Sequence, residues 1–245
     1  MPTQYDAIAE EYQRAKRLVA FDVFEHTLLG RLGAVDGMSV LDLACGEGFN
    51  TRKLKQLGAG RTVGVDISEE MIRLARDQEE RRPLGIEYVC SAVEQLGKLG
   101  EFDLVTAVFL LNYAESPDAL VRMGQVVYEN LKPGQRFVTI NENCGKWAPH
   151  AARYRKYGID FKVSLPVGDG DPVGLALRID ERSWIDITFR CFCQETYEQA
   201  LKAAGFRAVT WHGLVVPPEI EARDGKEFWS DMIEDPPVIL IECQK

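Results

Sequence analysis

The sequence predicts an α/β fold with a doubly wound, mostly parallel sheet of seven strands. Short apolar runs alternate with helix-length amphipathic segments between residues 38 and 142, and parallel strands are joined by crossovers of this kind. A pair of glycines follows the first apolar run, at a strand-to-helix turn of the kind that brings ligands close to backbone amides. Near the end of the chain, two more apolar runs predict strands that pair as an antiparallel edge.

The segment before the first strand has apolar residues at three- and four-residue spacing, which predicts helices over "YDAIAEEYQRAKRLVAFDVFEHTLLGRL". This stretch precedes the sheet and carries two tyrosines on a charged, amphipathic helix. We therefore expect residues 1–35 to form a helical cap, a lid that folds over a bound ligand instead of joining the core.

Five apolar runs predict the central strands, which in chain order are "MSVLDLAC", "RTVGVDI", "IEYVCSA", "FDLVTAVFLL" and "RFVTINEN". Three amphipathic segments predict the helices between them, which are "GFNTRKLKQLGAG", "SEEMIRLARDQEERR" and "SPDALVRMGQVVYENL". Ser68 precedes two acidic residues and is suited to cap the second of these helices. The order of elements supports the parallel sheet.

The last third of the chain predicts an insertion and a return to the sheet. Residues 144–193 are rich in aromatic side chains and contain a strand-like run, "SWIDITFRCFC". Because no linker-like stretch bounds them, we interpret residues 1–245 as a single domain with a substrate-side insertion. A helix, "QETYEQALKAAGF", then leads to the strands "RAVTWHG" and "PPVILIECQK".

Composition favours a small-molecule substrate. The net charge of -9 argues against wrapping a nucleic acid or docking on an anionic membrane, since both require clustered Lys and Arg. Apolar runs such as Val105–Leu111 are far shorter than the roughly 20 residues that cross a bilayer, and the start of the chain is polar. We therefore expect a cytoplasmic protein, either a monomer or a homodimer.

The cysteines show no spacing typical of a metal site. They are interpreted as free thiols, and no metal is expected; the six are Cys45, Cys90, Cys144, Cys191, Cys193 and Cys243.

The glycine-containing turn "VLDLACGEGFNTRKL" narrows the class of ligand. A phosphate loop needs Lys followed by Ser or Thr after its last glycine, and Phe49 and Asn50 stand there instead. A nicotinamide site prefers three glycines, whereas Ala44 occupies the early position and leaves Gly46 and Gly48. A nicotinamide-dependent oxidoreductase remains an alternative, but a ligand with a ribose and no pyrophosphate fits better.

Asp66 ends the second predicted strand and is placed to accept hydrogen bonds from the hydroxyls of such a ribose. Its alternative role is that of a helix cap, for which Ser68 already suffices.

At these residues the chain resembles the class I S-adenosylmethionine-dependent methyltransferases. "VLDLACGEG" is similar to their first motif, "VGVDIS" to their second, "FDLV" to their fourth strand and "NLKPGQRFVTI" to their fifth. The resemblance covers nearly the whole chain and implies a Rossmann-like fold with S-adenosylmethionine as the cofactor and S-adenosylhomocysteine as the product. A non-catalytic protein that only binds S-adenosylmethionine is the second alternative.

The resemblance also implies roles for individual residues. Gly46 and Gly48 let the backbone approach the amino acid part of the cofactor, Asp42 orients its ammonium group, and Asp66 holds its ribose. Ser91 stands where the family often has an Asp against the adenine. The adenine is therefore expected to contact other residues, and the remaining cofactor contacts are assigned to Tyr12, Ala44, Ile67, Met71, Ala92, Val93 and Phe109.

Several stretches look most like the toxoflavin synthase group, which methylates ring nitrogens of an azapteridine; they are "YDAIAEEYQRAKRL", "DLACGEG", "RRPLGIEY" and "FLLNYA". The predicted function is transfer of a methyl group from S-adenosylmethionine to a nitrogen or oxygen of a small planar heterocycle. Such an enzyme belongs to secondary metabolite biosynthesis.

Methyl transfer of this kind depends on positioning, because the sulfonium already activates its methyl group. An aromatic pocket that excludes water is expected, since aromatic faces accommodate positive charge. Tyr5 is predicted to cover the sulfonium, and His150 is a candidate base if the nucleophile carries a proton. The other candidate substrate contacts are Tyr113, Asn141, Glu142, Trp147 and Trp184.

Overall fold

The larger sheet has seven strands in the order β3-β2-β1-β4-β5-β10-β9. The computed structural model describes residues 3–144 and 148–245, and within them ten strands are present. They are β1 (Val40–Leu43), β2 (Thr62–Asp66), β3 (Glu87–Cys90), β4 (Phe102–Val108), β5 (Leu131–Glu142), β6 (Ile159–Lys162), β7 (Asp171–Arg178), β8 (Trp184–Cys191), β9 (Ala208–His212) and β10 (Val238–Gln244).

The first five strands run parallel, so the predicted mostly parallel α/β sheet is confirmed. Strands β9 and β10 pair antiparallel, as predicted, but β10 lies between β5 and β9. The antiparallel strand is therefore inside the sheet, and the edge strand β9 points in the same direction as β5.

Eight α-helices are present in the described residues; they are α1 (Ala9–Ala15), α2 (Val19–Leu32), α3 (Phe49–Gln56), α4 (Glu69–Arg81), α5 (Pro117–Asn130), α6 (Gln194–Ala203), α7 (Pro218–Asp224) and α8 (Ser230–Glu234). The predicted cap of α4 is present, since Ser68 Oγ accepts a hydrogen bond from the Met71 N–H at 3.2 Å. Helices α7 and α8 are additional to the predicted elements.

Helix α2 is part of the core, which corrects the predicted lid. Its side chains Val23, Phe24, Leu28 and Leu32 are at most 4% exposed and pack in the same apolar cluster as residues of β5 and β10. The spacing of the apolar residues along α2 is as typical of a helix buried against a sheet as of a helix that forms a mobile lid. Ala9, Tyr12 and Ala15 of α1 are buried in the same cluster, so only residues 3–8 remain candidates for a lid.

Strands β6, β7 and β8 form a separate three-stranded antiparallel sheet within residues 144–193. Alternate apolar side chains of β7 and β8 face the cluster that contains α1 and α2. Cys144 and Cys191 form a disulfide with their Cα atoms 5.3 Å apart, so the interpretation of these two as free thiols was wrong. The other four cysteines are free.

None of the helices in the described part of the chain has the length and apolar character needed to span a bilayer. The same residues contain no group of three or more metal-binding side chains.

Candidate functional site

A cavity of about 380 Å³ lies at the carboxyl ends of the parallel strands, a volume typical of small-molecule sites. Its walls come from the turns after β1, β2, β3 and β4 and from the first residues of the chain with α1 and α2. Ten of the twelve predicted cofactor contacts line it: Tyr12, Ala44, Gly46, Asp66, Ile67, Met71, Ser91, Ala92, Val93 and Phe109.

The turn after β1 exposes its backbone to this cavity. Ala44 and Gly46 have φ angles of 52° and 57°. A side chain at Gly46 would extend toward the cavity, where its Cβ would lie 3.4 Å from Lys16 Nζ. A ligand can therefore approach the main chain closely at Gly46.

Gly48 has a different structural role from the one predicted. A Cβ atom there would lie 2.3 Å from the Tyr88 hydroxyl oxygen, and its φ of 83° places it at the start of α3. Gly48 does not line the cavity, so the required glycine allows α3 and β3 to pack closely.

Asp66 connects the first two strand ends. Its Oδ2 accepts a hydrogen bond from the Gly46 N–H at 2.8 Å, and its Oδ1 accepts one from the Ser68 N–H at 2.9 Å. Burial raises the pKa of this carboxyl, and the two backbone hydrogen bonds oppose that shift. A carboxylate has about four acceptor positions, so Asp66 keeps acceptor capacity on the cavity side.

Asp42 lies beneath the turn and does not line the cavity, which corrects its predicted contact with an ammonium group. Its carboxylate accepts a hydrogen bond from the Thr51 hydroxyl at 2.5 Å, and its side chain is buried. Burial raises the pKa of Asp42 to about 7, against the effects of Thr51 and Lys16. The Asp42 carboxylate therefore links β1 to α3 on the side of the turn that faces away from the cavity.

Lys16 lines the cavity and was not predicted. Its Nζ lies 2.9 Å from Glu47 Oε2 and 5.3 Å from the centre of the Tyr12 ring. Burial alone would lower the pKa of Lys16, but the carboxylate of Glu47 raises it above its ordinary value. The cavity thus contains a fixed ammonium group beside the turn at Gly46. The sequence offered only a lysine on an amphipathic helix as a signal.

Three tyrosines form one aromatic wall of the cavity. The Tyr5 ring lies edge to face with Tyr12 and Tyr113, with centroids 5.1 and 5.9 Å apart. The Tyr5 and Tyr113 hydroxyls hydrogen-bond to each other. Phe109, with a φ of 59°, continues this wall and packs against Phe24 of α2. A non-glycine residue in this conformation is strained, and such strain is common at functional sites.

The first residues of the chain are fastened across the cavity. The Gln4 side chain donates to the Thr188 carbonyl and accepts from the Thr188 N–H, both at 3.0 Å. The Asp6 carboxylate accepts a hydrogen bond from the Ser68 hydroxyl at 2.6 Å. Residues 3–8, which we call the N-terminal strap, therefore connect β8 to the start of α4.

A second, smaller cavity of about 20 Å³ adjoins the first. The two share five aromatic residues, Tyr12, Phe21, Phe24, Phe109 and Tyr113. Side chains of β6, β7 and β8 form the rest of its wall together with Val238 and Glu142. Among the described residues that line the smaller cavity, only Glu142 carries a carboxyl group.

Three predicted substrate or catalytic residues lie elsewhere. Asn141 points away, since its amide accepts from the Leu111 N–H and donates to the Thr139 hydroxyl at 2.9 Å each. His150 is exposed in the 3-10 segment Ala148–Tyr157 and lines neither cavity. Trp184 is 41% exposed at the start of β8 and also lines neither. Asn141 lies near the end of β5, His150 in a 3-10 segment and Trp184 at the start of β8. None of these side chains is directed into the cavities.

Trp147, another predicted substrate contact, lies outside the described residues. Tyr5, Tyr113 and Glu142 are the predicted substrate contacts that the structure brings together around the two cavities.

In comparison with known proteins, residues 40–134 match a family model described as a methyltransferase domain. The chain is 28% identical to a demethylmenaquinone methyltransferase of Lactococcus lactis, over 85% of this chain and 83% of that protein. It is 28% identical to an N-demethylindolmycin N-methyltransferase of Streptomyces griseus, over 86% and 89%. A ubiquinone biosynthesis O-methyltransferase of Coxiella burnetii is 36% identical, but the match spans only 55% of this chain and 56% of that protein.

Solved structures share the fold. An S-adenosylmethionine-dependent methyltransferase from Mesorhizobium loti matches with a TM-score of 0.64 at 20% identity, over 94% of this chain and all of the other. The DhpI-SAM-HEP complex matches with a TM-score of 0.62 at 20% identity, over 98% and 94%. None of the relatives named above is described as a nicotinamide-dependent enzyme.

Proposed function

We propose that the chain is a class I S-adenosylmethionine-dependent methyltransferase that methylates a nitrogen or an oxygen of a small planar heterocycle. The observation that carries this proposal is the aromatic wall of Tyr12, Phe109 and Tyr113, which lines both the larger cavity and the smaller one, with Tyr5 beside it in the larger cavity. Flat aromatic surfaces of this kind favour a flat ring as the second ligand. An azapteridine of toxoflavin-type biosynthesis is the specific candidate.

The residues of the larger cavity fit the cofactor. We assign the ribose hydroxyls to Asp66, which retains acceptor positions after its two backbone hydrogen bonds. The amino acid part is assigned to the backbone at Gly46 and to the ammonium of Lys16, which suits a carboxylate. The adenine is assigned to the wall that contains Ile67, Met71, Ser91, Ala92 and Val93. Asp42 and Gly48 support this cradle from behind.

Bound S-adenosylmethionine supplies a methyl group that its sulfonium has already activated. The protein therefore contributes position, and correct placement of two reactants is worth roughly 7-11 kcal/mol of the barrier. Tyr5, Tyr12 and Phe109 present aromatic surface to a site where positive charge is redistributed, at about 0.5-2 kcal/mol for each favourable contact. The N-terminal strap excludes water from the same region.

Several attributes of the proposed enzyme stay predictions. They are a single domain over residues 1–245, a cytoplasmic location, the absence of nucleic-acid partners, and a monomeric or homodimeric state. The relatives named above are described as acting on menaquinone, ubiquinone and indolmycin precursors, and these small-molecule substrates support the proposed substrate size.

The proposal is tested by mass spectrometry with cofactor labelled in its methyl group. Purified protein is incubated with a panel of planar nitrogen and oxygen heterocycles that includes azapteridines, and each product is examined for a gain of one labelled methyl. A control reaction contains S-adenosylhomocysteine in excess, which should suppress the gain. If the protein binds S-adenosylmethionine but labels only non-planar or acyclic compounds, the proposed substrate class is wrong.

A further inference from the structure

Glu142 is the last residue of β5 and is 3% exposed. Its Oε2 is buried and has no hydrogen-bond partner among the residues that the structure describes. The rest of the smaller cavity is aromatic or aliphatic, with side chains such as Phe161, Leu175 and Ile187. A lone carboxyl group thus ends a space whose other described lining residues are aromatic or aliphatic, with no polar group among them besides the hydroxyls of Tyr12 and Tyr113.

Such an arrangement is unfavourable unless a ligand compensates it. Burying a polar group without a hydrogen bond costs free energy, and an ionised carboxylate costs more. An apolar side chain of similar size at this position would fill the same space without this cost in free energy. An unpaired carboxyl at the end of a ligand-binding strand is therefore a candidate for recognition.

The size of the cavity limits what Glu142 can contact. A volume of about 20 Å³ is close to that of one probe sphere and has room for a single small group. A ring in the larger cavity could extend one edge or one substituent through the shared aromatic residues. The ring itself would stay beside the cofactor.

We propose that the smaller cavity binds one hydrogen-bond-donating group of the substrate, a ring N–H or an amino group, which donates to Glu142. This inference rests on the proposed function and narrows its substrate class to planar heterocycles that carry an N–H donor. Heterocycles whose polar groups are all acceptors would leave the carboxylate unpaired and bind weakly. Glu142 is then a specificity-determining residue that fixes which edge of the ring faces the methyl group.

The ionisation of Glu142 can be followed by varying pH, because the neighbouring groups do not change charge in the same pH range. Tyr12 of α1, Tyr113 after β4 and Tyr197 of α6 all interact electrostatically with it, and burial raises the pKa of each tyrosine. Strands β6, β7, β8 and β10 contribute apolar side chains to the cavity. Burial raises the pKa of Glu142 to about 8. Between pH 7 and 9, Glu142 therefore changes charge while these tyrosines stay neutral.

The test uses indole and benzofuran, two planar probes of nearly equal size of which only indole has an N–H donor. Their affinities are measured by ligand-observed NMR on protein saturated with S-adenosylhomocysteine, at pH 7 and pH 9. Indole is expected to bind at least about tenfold more tightly than benzofuran at pH 9. Its affinity should rise by up to about tenfold from pH 7 to pH 9 as the carboxylate forms.

Two variants separate recognition from packing. Glu142→Gln keeps the shape, so indole affinity should lose its pH dependence while the unfolding temperature is maintained. Glu142→Leu should bind both probes equally. If the wild-type protein binds the two probes equally, binds neither up to their solubility limits, or keeps its indole preference in both variants, the inference is wrong. Affinity for S-adenosylhomocysteine is measured in parallel, and its absence in the wild-type protein would count against the proposed function instead.

Discussion

The hydroxyl groups of Tyr5 and Tyr113 hydrogen-bond to each other, although 108 positions separate them in the chain. Tyr5 belongs to the N-terminal strap, and Tyr113 ends the short 3-10 helix after β4. Both rings line the larger cavity. The contact makes the first residues of the chain part of the wall that the proposed substrate and cofactor share.

We predict that the ring of Tyr5 matters more than its hydroxyl. Tyr5→Phe removes one hydrogen bond, whereas Tyr5→Ala removes the aromatic surface against Tyr12 and Tyr113 and opens the cavity to water. Single-turnover methyl transfer should therefore be at least about tenfold slower in Tyr5→Ala than in Tyr5→Phe. Unfolding temperatures serve as the control, and equal rates in the two variants would contradict the role of the ring.

The second prediction follows from the assignment of Lys16 to the carboxylate in the amino acid part of the cofactor. Lys16→Met should weaken S-adenosylhomocysteine binding by about tenfold or more through loss of a charge-assisted hydrogen bond. Binding of 5′-methylthioadenosine, which lacks the amino acid part, should be unchanged. Because Glu47 would be left buried and unpaired, the double variant Lys16→Met, Glu47→Gln is the matched control. Equal losses for both ligands in calorimetry would refute the assignment.

The third prediction concerns the contact of Asp66 with the ribose. Asp66→Ala should weaken S-adenosylmethionine binding at least about tenfold, since charge-assisted hydrogen bonds to the ribose contribute roughly 1.5-3 kcal/mol each. Asp77→Ala, on the exposed side of α4, removes a carboxylate of the same sign and should bind normally. Calorimetric affinity that is unchanged in a folded Asp66→Ala variant would exclude the ribose contact.

The sequence predicted the backbone of this site better than its side chains. Alternating strands and helices determine which turns meet at the carboxyl ends of a parallel sheet, so Gly46, Asp66 and the turn at Ser91 could be located in advance. Asp42 and Gly48 lie in the same motif but face away from the cavity. The Asp42 side chain leaves β1 toward Thr51 of α3, and Gly48 packs against Tyr88 of β3, and these tertiary contacts cannot be read from the motif alone.

Long-range packing accounts for the other differences. Lys16 reaches the cavity because it follows α1 directly and pairs with Glu47 in the turn after β1, and nothing local to Lys16 signals this contact. Asn141 and Glu142 are neighbours in β5, yet alternation along a strand sends one to each face of the sheet. Only the structure shows which face carries the cavity. The disulfide of Cys144 and Cys191 likewise depends on where β8 packs.

Glu142 predicts an unusual dependence of stability on pH. Its pKa is raised to about 8 by burial, so between roughly pH 4.5 and 8 the native state holds a proton that the unfolded chain has released. Unfolding releases that proton, and the free energy of unfolding should fall as pH rises, by up to about 1.4 kcal/mol per pH unit from this group.

Glu142→Gln should remove this contribution, so the variant should lose less stability than the wild type between pH 5 and pH 8 in urea titrations. Glu80→Gln, on an exposed position of α4, is the control and should follow the wild type. Parallel curves for the wild type and Glu142→Gln would show that Glu142 ionises normally in the folded protein.

The last prediction is that the N-terminal strap opens and closes while α2 stays fixed. The strap is held by the Gln4 side chain on Thr188 and by Asp6 on Ser68, and Gln4 is exposed. Although burial opposes it, hydrogen bonds from Ser68 and Thr3 lower the pKa of Asp6, so acid should loosen this anchor as the carboxylate protonates. A segment with so few anchors has low local stability.

Amide hydrogen exchange tests this directly. Exchange over residues 3–8 should slow at least about tenfold when S-adenosylhomocysteine is added, whereas exchange in α2 should be slow with and without ligand because its apolar side is buried. The double variant Gln4→Ala, Asp6→Ala should exchange rapidly in the strap even with ligand and should bind the ligand more weakly. If exchange over residues 3–8 is equally slow in both states, or if deleting the residues before Asp6 leaves affinity and methyl transfer intact, the strap is ordinary structural packing and does not gate the site.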